Sequence, residues 1–417
     1  MKNKLIWLWL IAASQLLAWS VPATIASAGK NFFPQIVSDG STGAIISWIQ
    51  KNTSDCYEVY ARHVDANGNT GTSYPVSVRN DVTVGHRLNH HIVWGGSSAY
   101  CFWVNHFNTA LENDLYPKGY YLQKLSSSGT PQWPNLILPN PVQVKNISSV
   151  PSSSLEEDGD PISVCPAYSD EGCIVAMKYG YYSSGSYYNC ILVNRFDNGT
   201  AQWGNGTEVY TTDPTDFTTG GKGDIVGCPK IVQWNGKYMV IYATATHAVL
   251  RDTFTLSETK LHLQPLTTSG TKETEYVSTF SSIPSTPSYF GKDRDWFWIV
   301  PEVDVTVSPD GLTIYAAYLK RLKRKWSNFD APACSYREDH LYVLRCTSSG
   351  ITSNLEIDKW VVPYNFAPPI DELPLRAPSI ACLSTSGGDD GAVVVYPRAK
   401  PGACKSFISL EELCPIC

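Results

Sequence analysis

One phrase recurs along the chain and limits its possible folds more than any other feature. Gly43-Ala-Ile-Ile-Ser-Trp48 returns as Tyr100-Cys-Phe-Trp-Val104, Gly172-Cys-Ile-Val-Ala176, Tyr238-Met-Val-Ile-Tyr242, Thr313-Ile-Tyr-Ala-Ala-Tyr318 and Gly391-Ala-Val-Val-Val-Tyr396. Each copy is a short run of small, β-branched and aromatic residues, the composition of a strand buried on both faces. An apolar strand ending in a hairpin turn precedes each one, as in Pro34–Gly40, Pro229–Gly236 and Val303–Gly311, which close on Asp-Gly or Asn-Gly. A third strand with its own glycine turn follows five of them: Val59–Gly68, Tyr121–Gly129, Leu192–Gly199, Leu261–Gly270 and Leu341–Gly350. A short fourth strand comes next, for example Tyr74–Val78, Val142–Val144 and Glu208–Tyr210.

The repeating unit is therefore a four-stranded meander returning every 60 to 80 residues or about that. A meander that is apolar on both faces cannot bury itself, so the units must cover one another. The expected fold is all-β, a six-bladed β-propeller of four-stranded antiparallel blades over approximately 29–80, 82–146, 158–212, 222–280, 296–362 and 375–417. The sixth unit has room for a third strand at Ser406–Leu410 and none for a fourth, whereas Val21–Ser27 has no partner of its own. The ring is accordingly expected to close through an N-terminal strand, 21–27, making 21–417 one domain. The composition agrees, with 24 Tyr, 30 Gly, 27 Pro and 3 Met among 417 residues.

Lys2 and Lys4 precede an apolar run through Leu5–Ala13 and Leu16–Ala18, the layout of a secretory signal peptide over 1–20. Cleavage after Ser20, Ala23 or Ala28 fits the small-residue rule, and the first two keep the closing strand. No second apolar run is long enough to span a bilayer, so the mature chain is expected to be secreted, periplasmic or on the cell surface. A net charge of −6 provides no basic excess for a nucleic-acid partner. Twelve cysteines in an exported chain suggest disulfides of unreadable connectivity, with Cys414-Pro-Ile-Cys417 clamping the terminus. Asn52, Asn146, Asn198 and Asn205 head glycosylation sequons.

The opening Pro-x-Ile-Val-x-Asp-Gly followed by Gly-Ala-Ile-Ile-x-Trp, and the ending Gly-Thr-x-Gln-Trp at Gly129–Trp133 and Gly199–Trp203, resemble the repeats of secreted bacterial β-propeller proteins. The likeness covers nearly the whole mature chain, most clearly its first three units. It implies an exported ring-shaped scaffold and no particular activity, since that architecture hosts lectins, hydrolases, lyases and interaction domains.

Loops entering the first strands gather at one end of such a ring and hold the candidate ligand-binding residues His86, Arg87, His90, Asp160, Asp224, Arg294, Asp295, Glu302 and Arg376. A mixed ring of charges there suits a polar ligand such as a sugar, and solvated loop ends account for the same residues. His90 and His91 point to opposite faces of a strand, so no metal site is expected from them. Asp65-Ala-Asn-Gly-Asn69 has calcium-like spacing but reads better as a turn, because its counterparts lack acids. The fifth unit departs most from the pattern. A long insertion, Leu319–His340, opens with the basic run Lys320–Trp326, and Trp296 and Trp298 lie just upstream. The basic run suits an anionic surface and the tryptophans suit a sugar ring, while solvation and core packing are the plain alternatives.

These features fit an exported, non-catalytic binding or scaffold module with no cofactor, its partner a glycan or a cell-surface or extracellular protein. The alternative is a glycan-processing enzyme, sialidase-like or another glycoside hydrolase, with its site over the channel. Arg87, Arg294 and Arg376 precede the first strands of three units as a sialidase would require, but Phe32–Gln35 lacks the expected arginine and no Ser-x-Asp-x-Gly-x-x-Trp box occurs.

Overall fold

In the computed structural model the described residues are 25–26, 30–51, 57–75, 89–105, 119–133, 142–146, 162–168, 171–183, 186–212, 223–247, 249–250, 253–254, 259–280, 294–299, 303–326, 336–362, 378–385 and 388–396. The expected leader, all of the closing strand except residues 25 and 26, and the expected strand Ser406–Leu410 lie outside them.

The described chain is all β. The first sheet runs β1 (Lys30–Ser38), β2 (Ala44–Lys51), β3 (Tyr57–Val64) and β4 (Thr70–Pro75), and the second β5 (His90–Trp94), β6 (Ala99–Asn105), β7 (Gly119–Leu125) and β8 (Val142–Asn146); both are meanders in sequence order. The third holds β9 (Ile162–Pro166), β10 (Cys173–Ser183) and β11 (Ser186–Asp197), with its fourth strand in two pieces, β12 (Thr200–Ala201) and β13 (Thr207–Thr211), both paired to β11. The fourth contains β14 (Gly223–Val226), β15 (Lys230–Trp234), β16 (Lys237–His247), β19 (Thr259–Leu266) and β20 (Tyr276–Phe280), beside a small hairpin of β17 (Val249–Leu250) and β18 (Thr253–Phe254). The fifth contains β21 (Arg294–Ile299), β22 (Val303–Val307), β23 (Ile314–Trp326), β24 (Tyr336–Thr347) and β25 (Gly350–Val362), and the sixth pairs β26 (Ser379–Thr385) with β27 (Gly388–Val395).

Proline explains the break between β14 and β15. Pro229 has no N–H to give the ladder, so β14 and β15 pair with separate stretches of β16. Pro34 does the same more mildly in β1, where the register shifts between Phe32 and Gln35 and Phe33 takes φ 51°. The turns are built as their residues dictate. Asn198-Gly199 and Asn235-Gly236 have φ of 48°, 79°, 47° and 71°, the signature of two-residue type I′ hairpins. The turns after the third strands share another device, a side-chain oxygen that accepts backbone N–H groups further on. Asp65 Oδ1 takes Asn67 and Asn69 N–H at 2.9 and 2.8 Å, Ser126 Oγ takes Thr130 N–H at 3.1 Å, and Thr267 Oγ1 takes Thr271 N–H at 3.0 Å. Both Asp65 carboxylate oxygens are occupied, since Oδ2 accepts Asn69 Nδ2 at 2.9 Å.

The recurring Gly-Thr-x-Gln-Trp ending has a physical cause in the third strand. Gln123, fully buried, donates from Nε2 to the Trp133 carbonyl and accepts from the Lys124 and Trp133 amides through Oε1, at 2.9, 3.0 and 2.9 Å. Asn194 repeats this for Trp203, accepting from Arg195 and Trp203 N–H and donating to the Gly204 carbonyl. Gln123→Leu strands three buried backbone partners and is expected to cost about 2–3 kcal/mol, measured as a lower urea midpoint with an unchanged far-ultraviolet spectrum.

The chain divides into two compact units, the first of Met1–Ser148, Val164–Cys173 and Phe196–Ala201, the second of Ser149–Ser163, Ile174–Arg195 and Gln202–Cys417. In the first, Ile45, Ile49, Val59 and Ala61 of the first sheet pack on Ile92, Ala99, Cys101, Trp103, Tyr121 and Leu125 of the second. In the second, Met239, Ile241, Leu261 and Leu263 meet Val303, Ile314, Ala316 and Leu344 across the fourth and fifth sheets. Tyr315, Ala317 and Leu319 on the opposite face of the fifth sheet meet Ile380, Ala392 and Val394 of the sixth. Consecutive residues of β23 are thus buried on opposite faces, which is why its sequence is apolar without alternation. At about 1.5–3 kcal/mol for each large apolar side chain, this burial is the main source of stability.

Turn glycines permit the close approach of neighbouring sheets. A Cβ on Gly40 would fall 2.5 Å from the Trp94 ring, and one on Gly270 2.5 Å from Trp203. The disulfide expectation requires correction for four cysteines. Cys101, Cys165, Cys173 and Cys346 are free, buried thiols, and burial pushes the Cys346 thiol up to about 11 and the other three higher still. As small apolar side chains within the packed sheets they are inert at neutral pH. Cys56, Cys334, Cys404, Cys414 and Cys417 lie outside the described residues.

Candidate functional site

The candidate residues fall in different places. His90 is only 3% exposed on β5, its Nε2 3.0 Å from Ser47 Oγ on β2, so it joins the first two sheets. Asp224 is on β14, opposite Thr246. His86, Arg87, Asp160, Glu302 and Arg376 lie outside the described residues. Arg294, Asp295, Trp296 and Trp298 share a single strand, β21, and the fold places that strand directly against the basic run. The register is Arg294 with Trp326, Asp295 with Lys325, Trp296 with Arg324, Phe297 with Lys323, Trp298 with Leu322 and Ile299 with Arg321.

This pairing gives the ends of the segment Leu319–His340 strand structure. Residues through Trp326 continue β23 and those from Tyr336 begin β24, so most of the segment is a hairpin prolonging the fifth sheet. An added strand, β21, supplies the hydrogen-bond partners that make the extension a sheet. The result is a four-stranded platform of β21, the ends of β23 and β25, and the start of β24.

A second polar group, not foreseen in the sequence, lies at the junction of the third and fourth sheets within the second unit. Tyr242 on β16 stacks on His262 of β19 with centroids 4.7 Å apart and planes 3° from parallel, and Tyr210 of β13 contacts both rings at 5.5 and 5.8 Å. Tyr242 Oη donates to Glu275 Oε1 at 2.7 Å, and Thr244 Oγ1 is 2.9 Å from His262 Nε2. His262 Nδ1 lies 3.2 Å from Glu275 Oε1 but without hydrogen-bond alignment, so that contact is electrostatic. Burial by itself would raise the Glu275 carboxyl, yet His262 and the Tyr242 hydroxyl outweigh it and hold it below the usual carboxylate range. Burial, then Glu275, raises the Tyr242 hydroxyl far above the usual tyrosine value.

Hydroxyl, imidazole and carboxylate here follow the order of a nucleophilic relay, but exposure runs the wrong way for catalysis. Thr244 and His262 are 6% and 7% exposed, and the open end is Glu275. The cluster ties β16, β19 and the segment before β20 within the fourth sheet, with the Tyr210 ring of the third sheet packed against it. A related one occurs in the fifth sheet, where Glu356 accepts from Tyr342 Oη at 2.7 Å and contacts His340 Nδ1 at 2.9 Å, while Tyr318 Oη donates to Asn354 and Asn354 to Ser278 of the fourth sheet. In the first sheet Asp39 accepts from Ser41 and Gly43 and meets His63 Nε2 at 2.8 Å, contacts that keep its carboxyl far below the usual range against the opposing effect of burial. Sequence spacing carried one weak signal for the His262–Glu275 and His340–Glu356 pairs, a third-strand histidine with a glutamate on or just before the fourth strand; only the register reveals the contact. Among the described residues no three His, Cys, Asp or Glu side chains converge to hold a metal.

No protein-family model matches the chain, and no curated protein does. Solved structures with some likeness include a thermostable family-43 glycoside hydrolase, at 11% identity over 82% of this chain and 98% of that one with a TM-score of 0.34. A Bombyx mori GH32 β-fructofuranosidase matches at 12% identity over 80% and 64% of the two chains, TM-score 0.34, and an α-L-arabinofuranosidase from Clostridium thermocellum at 13% over 80% and 97%, TM-score 0.27. Likeness at this level assigns neither an activity nor a ligand to the chain.

Proposed function

We propose that this chain is an exported six-bladed β-propeller, closed by its N-terminal strand, that works as a binding or scaffold module and presents a carbohydrate-binding platform on its fifth sheet. The reading is carried by one observation, the pairing of β21 with β23, which joins the tryptophan-rich segment to the basic run. Trp296 and Trp298 occupy alternate positions of one strand, about 6.8 Å apart along it, a spacing suited to stacking on successive parts of a sugar chain.

A glycan array run beside a glycosidase assay on the exported chain tests this. Glycan binding without turnover, reduced at least tenfold by Trp298→Ala, is the expected result. Turnover abolished by Glu302→Gln would instead establish the hydrolase reading, in which carboxylates such as Asp160, Asp295 and Glu302 act as the acid–base pair.

A further inference from the structure

The fifth sheet changes partners at one level along its length, and it does so on both edges. In its body β22 pairs with β23 as far as Tyr318, opposite Val303, and β21 takes over from Arg321, opposite Ile299. Leu319 and Lys320 have no partner on that edge among the described residues. On the other edge β25 carries one extra residue at the same level, Ile357, because Leu341 pairs with Asp358 and Tyr342 with Glu356. Only β23 and β24 run through, with Leu319 opposite Leu341. A bulge between the third and fourth strands also occurs in the second and third sheets, where the outer strand ends soon after it, at Asn146 and Thr211. In the fifth sheet the strand continues beyond the bulge to Val362. A bulge bends its strand, and a two-stranded ribbon twists more freely than a wide sheet. The part of the sheet beyond this level is therefore an arm that leaves the body at a bend.

We infer that this arm is hinged at Ile357 and that His340 is the positioning residue that sets its angle, through its contact with Glu356. The contact spans the hinge. His340 lies on the arm side, opposite Lys320, and Glu356 on the body side, opposite Tyr342, with His340 Nδ1 2.9 Å from Glu356 Oε2. The same oxygen accepts Tyr342 Oη at 2.7 Å. The imidazole ends a stack of three rings, its centroid 6.3 Å from that of Tyr342, which lies 5.3 Å from Tyr318, with planes 10° and 8° from parallel. Tyr318 Oη donates to Asn354, whose amide donates to Ser278 of the fourth sheet at 3.0 Å. The brace is thus anchored in two sheets. Toward the sixth sheet, Asp358, the first arm residue of β25, accepts Tyr396 Oη at 2.7 Å. The root of the arm is tied on both faces.

The inference deepens the carbohydrate-binding reading above and rests on it only for its consequence. The arm includes β21, so its angle decides where the platform stands. A platform already held at one angle binds without first being ordered, and ordering would cost affinity.

Hydrogen exchange of the exported full-length chain tests the hinge. His340→Leu is expected to speed exchange of the paired amides of 294–299, 321–326 and 336–339 at least tenfold, and to leave β16 and β19 within twofold of the parent. His340→Asn puts an amide donor near the place of Nδ1 and should restore most of the protection. Glu356→Ala, at a more exposed side chain, should give the same local loss, and adding His340→Leu to it should change arm exchange less than twofold further, because both remove one contact. Should His340→Leu fail to fold, the exchange pattern of Glu356→Ala decides the question. Unchanged exchange in the arm, equal acceleration in arm and body, or additive losses in the double variant would each overturn the inference. The glycan array on the same variants separates it from the reading beneath it. A glycan bound by the parent should be held at least threefold more weakly by His340→Leu and recovered by His340→Asn; unaltered binding beside faster arm exchange would overturn the positioning role of His340. A parent that binds no glycan removes the carbohydrate reading, and the exchange pattern then still decides the hinge.

Discussion

Gly270→Ala is expected to destabilise the second unit by about 3 kcal/mol, seen as a lower denaturant midpoint with an unchanged slope. Two independent costs add at this residue. Its φ of +84° lies in the left-handed region, where a side chain costs roughly 1 kcal/mol. The new Cβ would also stand 2.5 Å from the Trp203 indole, and neither side can retreat. Trp203 is held by its N–H bond to Asn194 and lies edge-on to Tyr238 at 6.1 Å, while the Gly270 carbonyl accepts Thr207 Oγ1 at 2.7 Å from the third sheet. Gly68→Ala separates the two costs, because Gly68 has nearly the same φ, +80°, and nothing within 4 Å of the added carbon. It should lose only the roughly 1 kcal/mol that comes from the backbone. Equal losses at the two glycines would show that contact between the third and fourth sheets does not limit what Gly270 tolerates.

The second large effect concerns Glu275. Glu275→Leu removes the acceptor of the Tyr242 hydroxyl, whose residue is 1% exposed, and the charge facing His262. A buried hydroxyl without a partner costs about 1–3 kcal/mol, so a loss of about 2–3 kcal/mol is expected at pH 7. The pH dependence has a definite sign. The Glu275 carboxyl is held below its unfolded value, so its contribution is complete above the usual carboxylate range and is lost as pH falls through that range toward the folded value. Asp39 and Glu356, also lowered, act in the same direction. Parent stability should therefore decline from about pH 5 downward, and the gap between the parent and Glu275→Leu should narrow over the same interval. Urea midpoints measured between pH 3 and pH 7 provide the check; a gap that stays constant with pH would mean that Glu275 acts only through packing.

Several parts of the structure were legible from the residues alone. Asn-Gly at 198–199 and 235–236 specifies a two-residue hairpin because few other pairs accept two positive φ values in succession, and both occur as such. The unalternating apolar run within Thr313–Tyr318 indicated a strand buried on both faces, and the packing on its two sides agrees. Asp65–Asn69 was read as a turn, and the Asp65 carboxylate accepts the Asn67 and Asn69 N–H groups of such a turn. Other expectations failed for identifiable reasons. The strand character of the basic run was not foreseen, because strand extension depends on a partner edge, here β21, that lies about 25 residues upstream in the chain. The cysteine count suggested bridges, whereas Cys101, Cys165, Cys173 and Cys346 are buried thiols that serve as small apolar side chains.

The sequence by itself determined the strands, their turns and their grouping into repeated meanders, since these follow from local preferences: periodicity, β-branching and the few residues that tolerate positive φ. Only the tertiary structure decided which side chains meet. Tyr242, His262 and Glu275 come together because antiparallel register joins residues from separate strands. Register is set by the cooperative fit of whole sheets, and a shift of one residue would carry every one of these side chains to the opposite face.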